Sequence, residues 1–225
     1  MTVHPITSSP ITAGARRLLD GTGIATVAVR GSKNRSDVMV SAGHRWIGEG
    51  AIVVIGTPAP WSGLMVASGE SVEVVVMIDE YAPIVEARVH VASLYAFGVA
   101  RAARQGDGWV VEIEIQLGDV DVKRLGHAGT VDARLLDAVP SDPLAVESVG
   151  LADEIRARFG GELAALAGAG DPDSPPYVLG VDAEGLHLIT ALGVDADVIH
   201  LPFLARAENA GDVVREMGQY VARAS

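Results

Sequence analysis

The stretch Val111-Glu112-Ile113-Glu114-Ile115-Gln116-Leu117 alternates apolar and polar side chains without a break. Successive side chains of an extended strand point to opposite faces, so this pattern predicts a β-strand with one apolar face. The same alternation runs through 85–91, where valine and alanine alternate with Glu86, Arg88 and His90. Half-buried strands of this kind are typical of antiparallel sheets that close into a barrel or stack as a sandwich.

Short apolar runs on either side of these two stretches predict further strands. These runs are 23–29, 37–42, 51–56, 71–78 and 131–136. A helix is predicted over 10–20, because Ser9 suits the N-cap and Pro10 suits the first helical position. A second, short helix is predicted over 61–67. Many strands joined by short turns, with few helices, predict an antiparallel barrel or sandwich over residues 1–140.

The composition changes near Val139-Pro140-Ser141-Asp142-Pro143. Residues 1–140 carry 12 basic and 15 acidic residues, a net charge of −3, whereas residues 141–225 carry 5 and 14, a net charge of −9. A helix, three strands and a closing helix are predicted after this point. They are 144–167 with an interruption at Gly160-Gly161, 177–181, 186–192, 196–201 and 209–224. This order predicts a small α+β domain over 141–225.

Composition excludes several classes of protein. Of the 225 residues, 49% are hydrophobic, which supplies a packed core and excludes a disordered chain. The absence of cysteine excludes disulfides and thiolate metal sites. The net charge of −12 lacks the basic footprint of a nucleic-acid-binding protein. The uncharged stretch 50–68 holds two prolines and three glycines, so we predict a strand, a turn and a helix there and no membrane span. The first residues lack a signal pattern, so we expect a cytoplasmic protein.

Three parts of the sequence resemble one known family. The run Ala15-Arg16-Arg17-Leu18-Leu19 into 23–29 looks like an opening helix and first barrel strand, and 82–91 is similar to a barrel strand entered from a proline turn. Leu179-Gly180-Val181-Asp182-Ala183-Glu184-Gly185 and 198–203 are similar to the hairpin and last strand of a small domain. The chain therefore resembles the FMN-binding split-barrel superfamily of pyridoxamine-phosphate-oxidase-like proteins, and within it the HugZ-type haem-utilisation branch. The resemblance implies a split β-barrel followed by a helix–three-strand–helix domain.

The resemblance also implies a homodimer with FMN or haem at its interface. Flavin-binding relatives hold the phosphate with cations on the central barrel strands, but 46–87 contains no Lys, Arg or His. Serine hydroxyls there can bond a phosphate without neutralising its charge. The basic turn with Arg30, Lys33 and Arg35 is the alternative phosphate site, and its other interpretation is a solvated hairpin. FMN is therefore the less favoured cofactor.

Haem needs an axial ligand, most often histidine, and cations for its propionates. HugZ-type small domains often carry histidines in their first helix, but 149–159 contains none. The candidates are His90 as ligand with Arg88 on the same strand face near a propionate, and His44, predicted in a turn beside Trp46 as a stacking platform. The alternative interpretation places His90 on the polar face of a strand and makes His44 a turn residue without a binding role.

The remaining chemistry is sparse. Alternation predicts outward-facing positions for His187 and His200, and no histidine pair has the spacing of a helical metal site. Glu112 and Glu114 are interpreted as solvated carboxylates of one strand face. The acidic small domain suits a basic partner protein, or serves solubility alone.

Three functions follow from these observations. The first is a haem- or tetrapyrrole-binding protein with a degenerate flavin site. The second is an FMN-dependent oxidoreductase with an unusual phosphate site, and the third is a ligand-free dimeric interaction module. Whether the chain is an enzyme stays open at this point.

Overall fold

The structure is a computed structural model that describes residues 9–84, 88–105, 110–167, 176–192 and 198–224. The chain divides into two units, Met1–Glu80 with Ala92–Ser141 and Tyr81–Val91 with Asp142–Ser225. The helices and strands before residue 141 are α1 (Pro10–Leu19), β1 (Ile24–Val29), β2 (Val38–Gly48), β3 (Ala51–Gly56), α2 (Pro60–Ser68), β4 (Val72–Tyr81), β5 (His90–Gln105), β6 (Val111–Arg124) and β7 (His127–Asp132).

The seven strands form one antiparallel sheet in the order β3-β2-β1-β4-β5-β6-β7, and an additional pairing of β3 with β6 closes six of them into a barrel. Strand β6 takes part both in the closure of the barrel and in the pairing with the seventh strand. Its first part, Val111–Gln116, pairs with Ala51–Gly56 of β3, and its second part, Asp119–Arg124, pairs with β7. The alternation that opened the sequence is confirmed, because Ile113 and Ile115 are fully buried in the barrel while the glutamates between them are exposed.

Helix α1 packs on β6 and β7. Its start is the one predicted: the Ser9 side chain accepts the N–H of Thr12, and Pro10 occupies the first turn. Leu18 and Leu19 are fully buried at its end. The helix thus covers apolar barrel surface with one face, as its sequence pattern requires.

Several strand predictions differ from the structure. Strand β2 continues past Ala42 to Gly48, because register irregularities after Ser41 and Trp46 let it follow β3 around the barrel. The strand predicted over 131–136 is wrong beyond Asp132. There the Asp132 carboxylate accepts the N–H of Arg134 at 2.9 Å and starts the 3₁₀ helix Ala133–Ala138. The strand predicted over 85–91 is wrong at Arg88 and Val89, which precede β5, and β5 runs from His90 on to Gln105. Residues 85–87 lie outside the described residues.

The second unit is built on a three-stranded antiparallel sheet in the order β10-β9-β8. Its elements are α3 (Ser148–Leu166), β8 (Tyr177–Asp182), β9 (Gly185–Ile189), β10 (Val198–Pro202) and α4 (Ala210–Ala224). Both helices contribute to one core with the sheet, which includes Ile155, Leu186 and Met217. The predicted interruption of α3 falls at Phe159, whose backbone is not helical.

The fold class is therefore the predicted one: α+β, with a closed antiparallel barrel followed by a small domain of a helix, three strands and a helix. Among the helices in the described ranges, none is long and apolar enough to span a bilayer.

Candidate functional site

Three polar side chains meet on the segment Tyr81–Val91. Tyr81 ends β4 and His90 begins β5, so the pairing of these two strands brings the two residues to the same place. The connection is held by the Ala82 N–H, which donates to the Val89 carbonyl at 2.9 Å. The side chains of Ala82 and Ile84 are buried and anchor it. Arg88 lies just before β5 and completes the cluster.

The Tyr81 ring holds the other two side chains. The Arg88 guanidinium carbon lies 4.1 Å from the centre of the Tyr81 ring, and the His90 ring stands edge-on to it with 5.3 Å between centroids. A cation over an aromatic face is attracted by the ring quadrupole. Arg88 and His90 are both exposed, whereas Tyr81 is half-buried. The structure thus places an exposed imidazole and an exposed guanidinium against the same tyrosine ring.

The turn predicted at His44 is wrong, because His44 is the seventh residue of β2. Its side chain is only 7% exposed, so it offers no stacking platform to a ligand. The Nε2–H of His44 donates to the Leu18 carbonyl at 2.6 Å. Burial lowers the pKa of His44 below its ordinary value, and the bond to Leu18 opposes this shift in part. His44 is therefore placed as a structural histidine that joins the barrel to α1.

The predicted phosphate site lies on the exposed connection between β1 and β2. Arg30 is already engaged: its guanidinium lies 3.3 Å from the Glu73 carboxylate and 4.9 Å from the centre of the Phe97 ring. Lys33 and Arg35 are exposed, and neither makes an ion pair within the described residues. A phosphate bound at this connection would have to displace Glu73 from Arg30.

A histidine pair in the second unit departs from the sequence prediction at one member, since His200 is exposed as predicted and His187 is not. His187 was expected to face outward, but it is 9% exposed. It lies directly opposite His200 in the sheet, and the rings stack with 4.7 Å between centroids. The His187 Nε2–H donates to the Asp182 carboxylate at 2.8 Å, while the other Asp182 oxygen accepts two backbone N–H groups of the β8–β9 turn. The two-residue turn after Asp182 was the available signal, because it fixes the register that brings these residues together.

Within the described ranges, no group of three or more His, Asp or Glu side chains is arranged to hold a metal ion. Tyr81 was missed at the sequence level, since nothing local distinguishes it from other strand-end aromatics. Only the pairing of β4 with β5 shows that it carries two of the predicted residues.

No family model matches the chain, and no curated protein matches its sequence. Among solved structures, a heme-binding protein from Mycobacterium smegmatis is similar with a TM-score of 0.57 and 16% identity, over 97% of this chain and 99% of that one. A protein of unknown function from Agrobacterium tumefaciens has a TM-score of 0.38 and 14% identity, over 98% and 100%. An FAD- and heme-binding protein from Mycobacterium smegmatis has a TM-score of 0.33 and 15% identity, over 52% and 80%. The first of these likenesses shows that this chain shares its fold with a heme-binding protein from Mycobacterium smegmatis.

Proposed function

We propose that this protein binds haem or a related tetrapyrrole at the cluster of Tyr81, Arg88 and His90. One observation carries the proposal: a single tyrosine ring contacts both an exposed imidazole and an exposed guanidinium. Histidine is the most frequent axial ligand of haem iron, and arginine pairs well with carboxylates such as the propionates. The fold shared with a heme-binding protein supports the same function.

In this proposal each residue of the cluster has one task. His90 supplies the nitrogen that binds iron, Arg88 pairs with a propionate, and Tyr81 keeps the two at a fixed spacing. Bound haem would supply an iron centre, and these side chains would orient it. In the finer proposal the chain belongs with the HugZ-type split barrels and has a degenerate flavin site. This finer proposal rests on the sequence resemblance and on the absence of Lys, Arg and His from 46–87.

Haem titration of the purified protein tests this proposal directly. We expect a Soret band that saturates at a fixed ratio of haem to protein. His90→Ala removes the iron ligand and is expected to shift that band and to weaken binding at least about tenfold. Arg88→Gln removes a charge-assisted bond and is expected to weaken binding about tenfold without shifting the band. Absorbance titration with haemin, and separately with FMN, measures both effects.

His127→Ala is the matched control, because His127 is also an exposed histidine at the start of a barrel strand. It should bind haem like the unmodified protein. Equal haem affinity of His90→Ala and the unmodified protein would show that the cluster is not the site. Saturable FMN binding without haem binding would favour the flavin-dependent oxidoreductase, and no binding of either would favour an interaction module.

We also propose that two copies of the chain pair through the outer face of β1, β2 and β4. Four apolar side chains are exposed on this face. They are Ile24 at 51%, Val38 at 37%, Val40 at 56% and Met77 at 37%. Thr26 pairs with both Val40 and Met77, so the residues lie on three neighbouring strands. A contiguous exposed apolar patch marks an interaction surface, and a two-fold axis lets one patch cover its own copy.

Val40→Glu is expected to weaken the dimer at least about tenfold, because it places like charges opposite each other across the two-fold axis. Sedimentation equilibrium over a range of protein concentrations measures the dissociation constant. Val146→Glu introduces the same charge at a valine that is exposed in the second unit and should leave dimerisation unchanged. A purely monomeric unmodified protein would contradict the proposal, as would an equal effect of the two variants.

A further inference from the structure

A groove of about 280 Å³ opens on the outer surface of the barrel, beside the end of β1. Its walls come from β4, β5 and β6. The lining residues are Arg30, Glu73, Phe97, Gly98, Val99, Gln116, Leu117 and Gly118. All of them belong to the first unit, so the groove is independent of the cluster at Tyr81.

The groove exists because the backbone is irregular there and carries two glycines. The β5–β6 register steps from Ala96 opposite Val120 to Gly98 opposite Leu117, which gives β6 one extra residue. A Cβ on Gly98 would lie 2.8 Å from the Gln116 carbonyl oxygen, so packing requires glycine at this position. A Cβ on Gly118 would have its nearest neighbour at 3.8 Å, an ordinary contact. Packing therefore does not require Gly118, and its missing side chain leaves the groove open.

An exposed aromatic ring and an arginine that is held by an ion pair line this groove. Phe97 is 47% exposed and meets the edge of Tyr95, which is also exposed, with 5.3 Å between ring centroids. Aromatic residues make up only 4% of the chain, and burying such side chains is favourable. The Arg30 guanidinium lies over the Phe97 ring at 4.9 Å, and Glu73 holds it there at 3.3 Å. Of the three cations in the predicted phosphate site, Arg30 is the one that lines the groove.

We propose that this groove binds a small planar aromatic carboxylate, with its ring against Phe97 and the glycine wall and its carboxylate on Arg30. The volume lies just below the range of about 300–1,000 Å³ that drug-sized ligands occupy, so a one- or two-ring compound fits. The Arg30–Glu73 pair is exposed to solvent and therefore weak, so a ligand carboxylate can replace Glu73. Arg–carboxylate pairs are often bidentate, which makes the exchange favourable.

The proposal predicts that removing the charge of Glu73 tightens ligand binding. Because its carboxylate competes with the ligand for Arg30, Glu73→Gln should tighten binding several-fold. Arg30→Gln should reduce binding at least about tenfold, since it removes the cation. Gly118→Val should abolish binding by filling the groove, and Phe97→Ala should weaken it by removing the ring contact.

The test is calorimetric titration of the full chain with benzoate and with indole-3-carboxylate. Benzamide and indole, which lack the charge, are the ligand controls and should bind at least about tenfold more weakly. Lys33→Gln is the variant control, because it removes a cation of the same connection that does not line the groove. Circular dichroism shows whether Gly118→Val is folded, and Phe97→Ala tests the same surface without adding a side chain. Weaker binding by Glu73→Gln, unchanged binding by Gly118→Val, equal binding of the neutral compounds or no binding by the unmodified protein would each overturn the proposal.

Discussion

Arg17→Met is expected to lower the free energy of unfolding by about 3–5 kcal/mol, because it leaves a carboxylate in the protein without its counter-charge. Arg17 is fully enclosed at 2% exposure, and its guanidinium lies 3.4 Å from the Glu80 carboxylate, which is itself largely buried. One oxygen of Glu80 already has no hydrogen-bond partner within the described residues. Urea denaturation followed by circular dichroism measures the loss, and a melting temperature lower by roughly 10 °C should accompany it.

The double variant Arg17→Met with Glu80→Leu separates charge from packing. Replacing both partners of a buried ion pair with apolar residues of similar size is often close to neutral. We therefore expect the double variant to regain most of the stability that Arg17→Met loses. Lys33→Met removes an exposed cation and should change stability by less than about 0.5 kcal/mol. A double variant less stable than Arg17→Met would show that the loss comes from the packing of Arg17 and not from the stranded charge.

The barrel strands could be predicted from the sequence where one face of the strand is buried and the other faces solvent. Ile113 and Ile115 alternate with glutamates because β6 separates the barrel interior from water. Helix α1 was readable for a local reason, since Ser9 and Pro10 act within its own first turn. The closing helix α4 and the hairpin at Asp182 were likewise predicted from patterns contained within one element.

Features that depend on pairing between residues far apart in the sequence could not be predicted from it. The contact of β3 with β6 joins residues about 60 positions apart, and nothing in either strand specifies the partner. The strand predicted over 131–136 was wrong beyond Asp132, because the Asp132 side chain bonds the Arg134 N–H and the residues that follow favour helix over strand. Sequence position alone could not distinguish a 3₁₀ helix from a strand there.

For the same reason, only part of the candidate site could be predicted from the sequence. Alternation placed Arg88 and His90 on one face, but only the return of the chain beside β4 puts both against Tyr81. His44 was misplaced because its burial depends on Leu18, 26 positions away, whose carbonyl it bonds. A histidine with a buried partner looks the same in sequence as an exposed one.

His44→Ala is expected to cost about 2–3 kcal/mol of stability at pH 7.5, because it opens a cavity and removes the shorter of the bonds to the buried Leu18 carbonyl, which keeps the Gly21 N–H at 3.4 Å. The cost should shrink as the pH falls. Burial lowers the pKa of His44 in the folded protein, while the unfolded chain keeps an ordinary histidine pKa near 6.5. Below about pH 6.5 the unfolded state therefore binds a proton that the folded state does not, and the stability of the unmodified protein falls. His44→Ala lacks this group, so its stability should change less between pH 7.5 and 5.5.

Denaturation curves at closely spaced pH values separate this effect from the rest of the titration. His44→Gln keeps an N–H donor for Leu18 without a titrating ring, so it should flatten the pH dependence while losing less stability at pH 7.5 than His44→Ala. His127→Gln removes an exposed histidine and should follow the unmodified protein at every pH. If His44→Gln loses stability as steeply below pH 6.5 as the unmodified protein, another group is responsible. In that case the buried Nε2–H···O=C bond would stabilise the barrel without making it sensitive to acid.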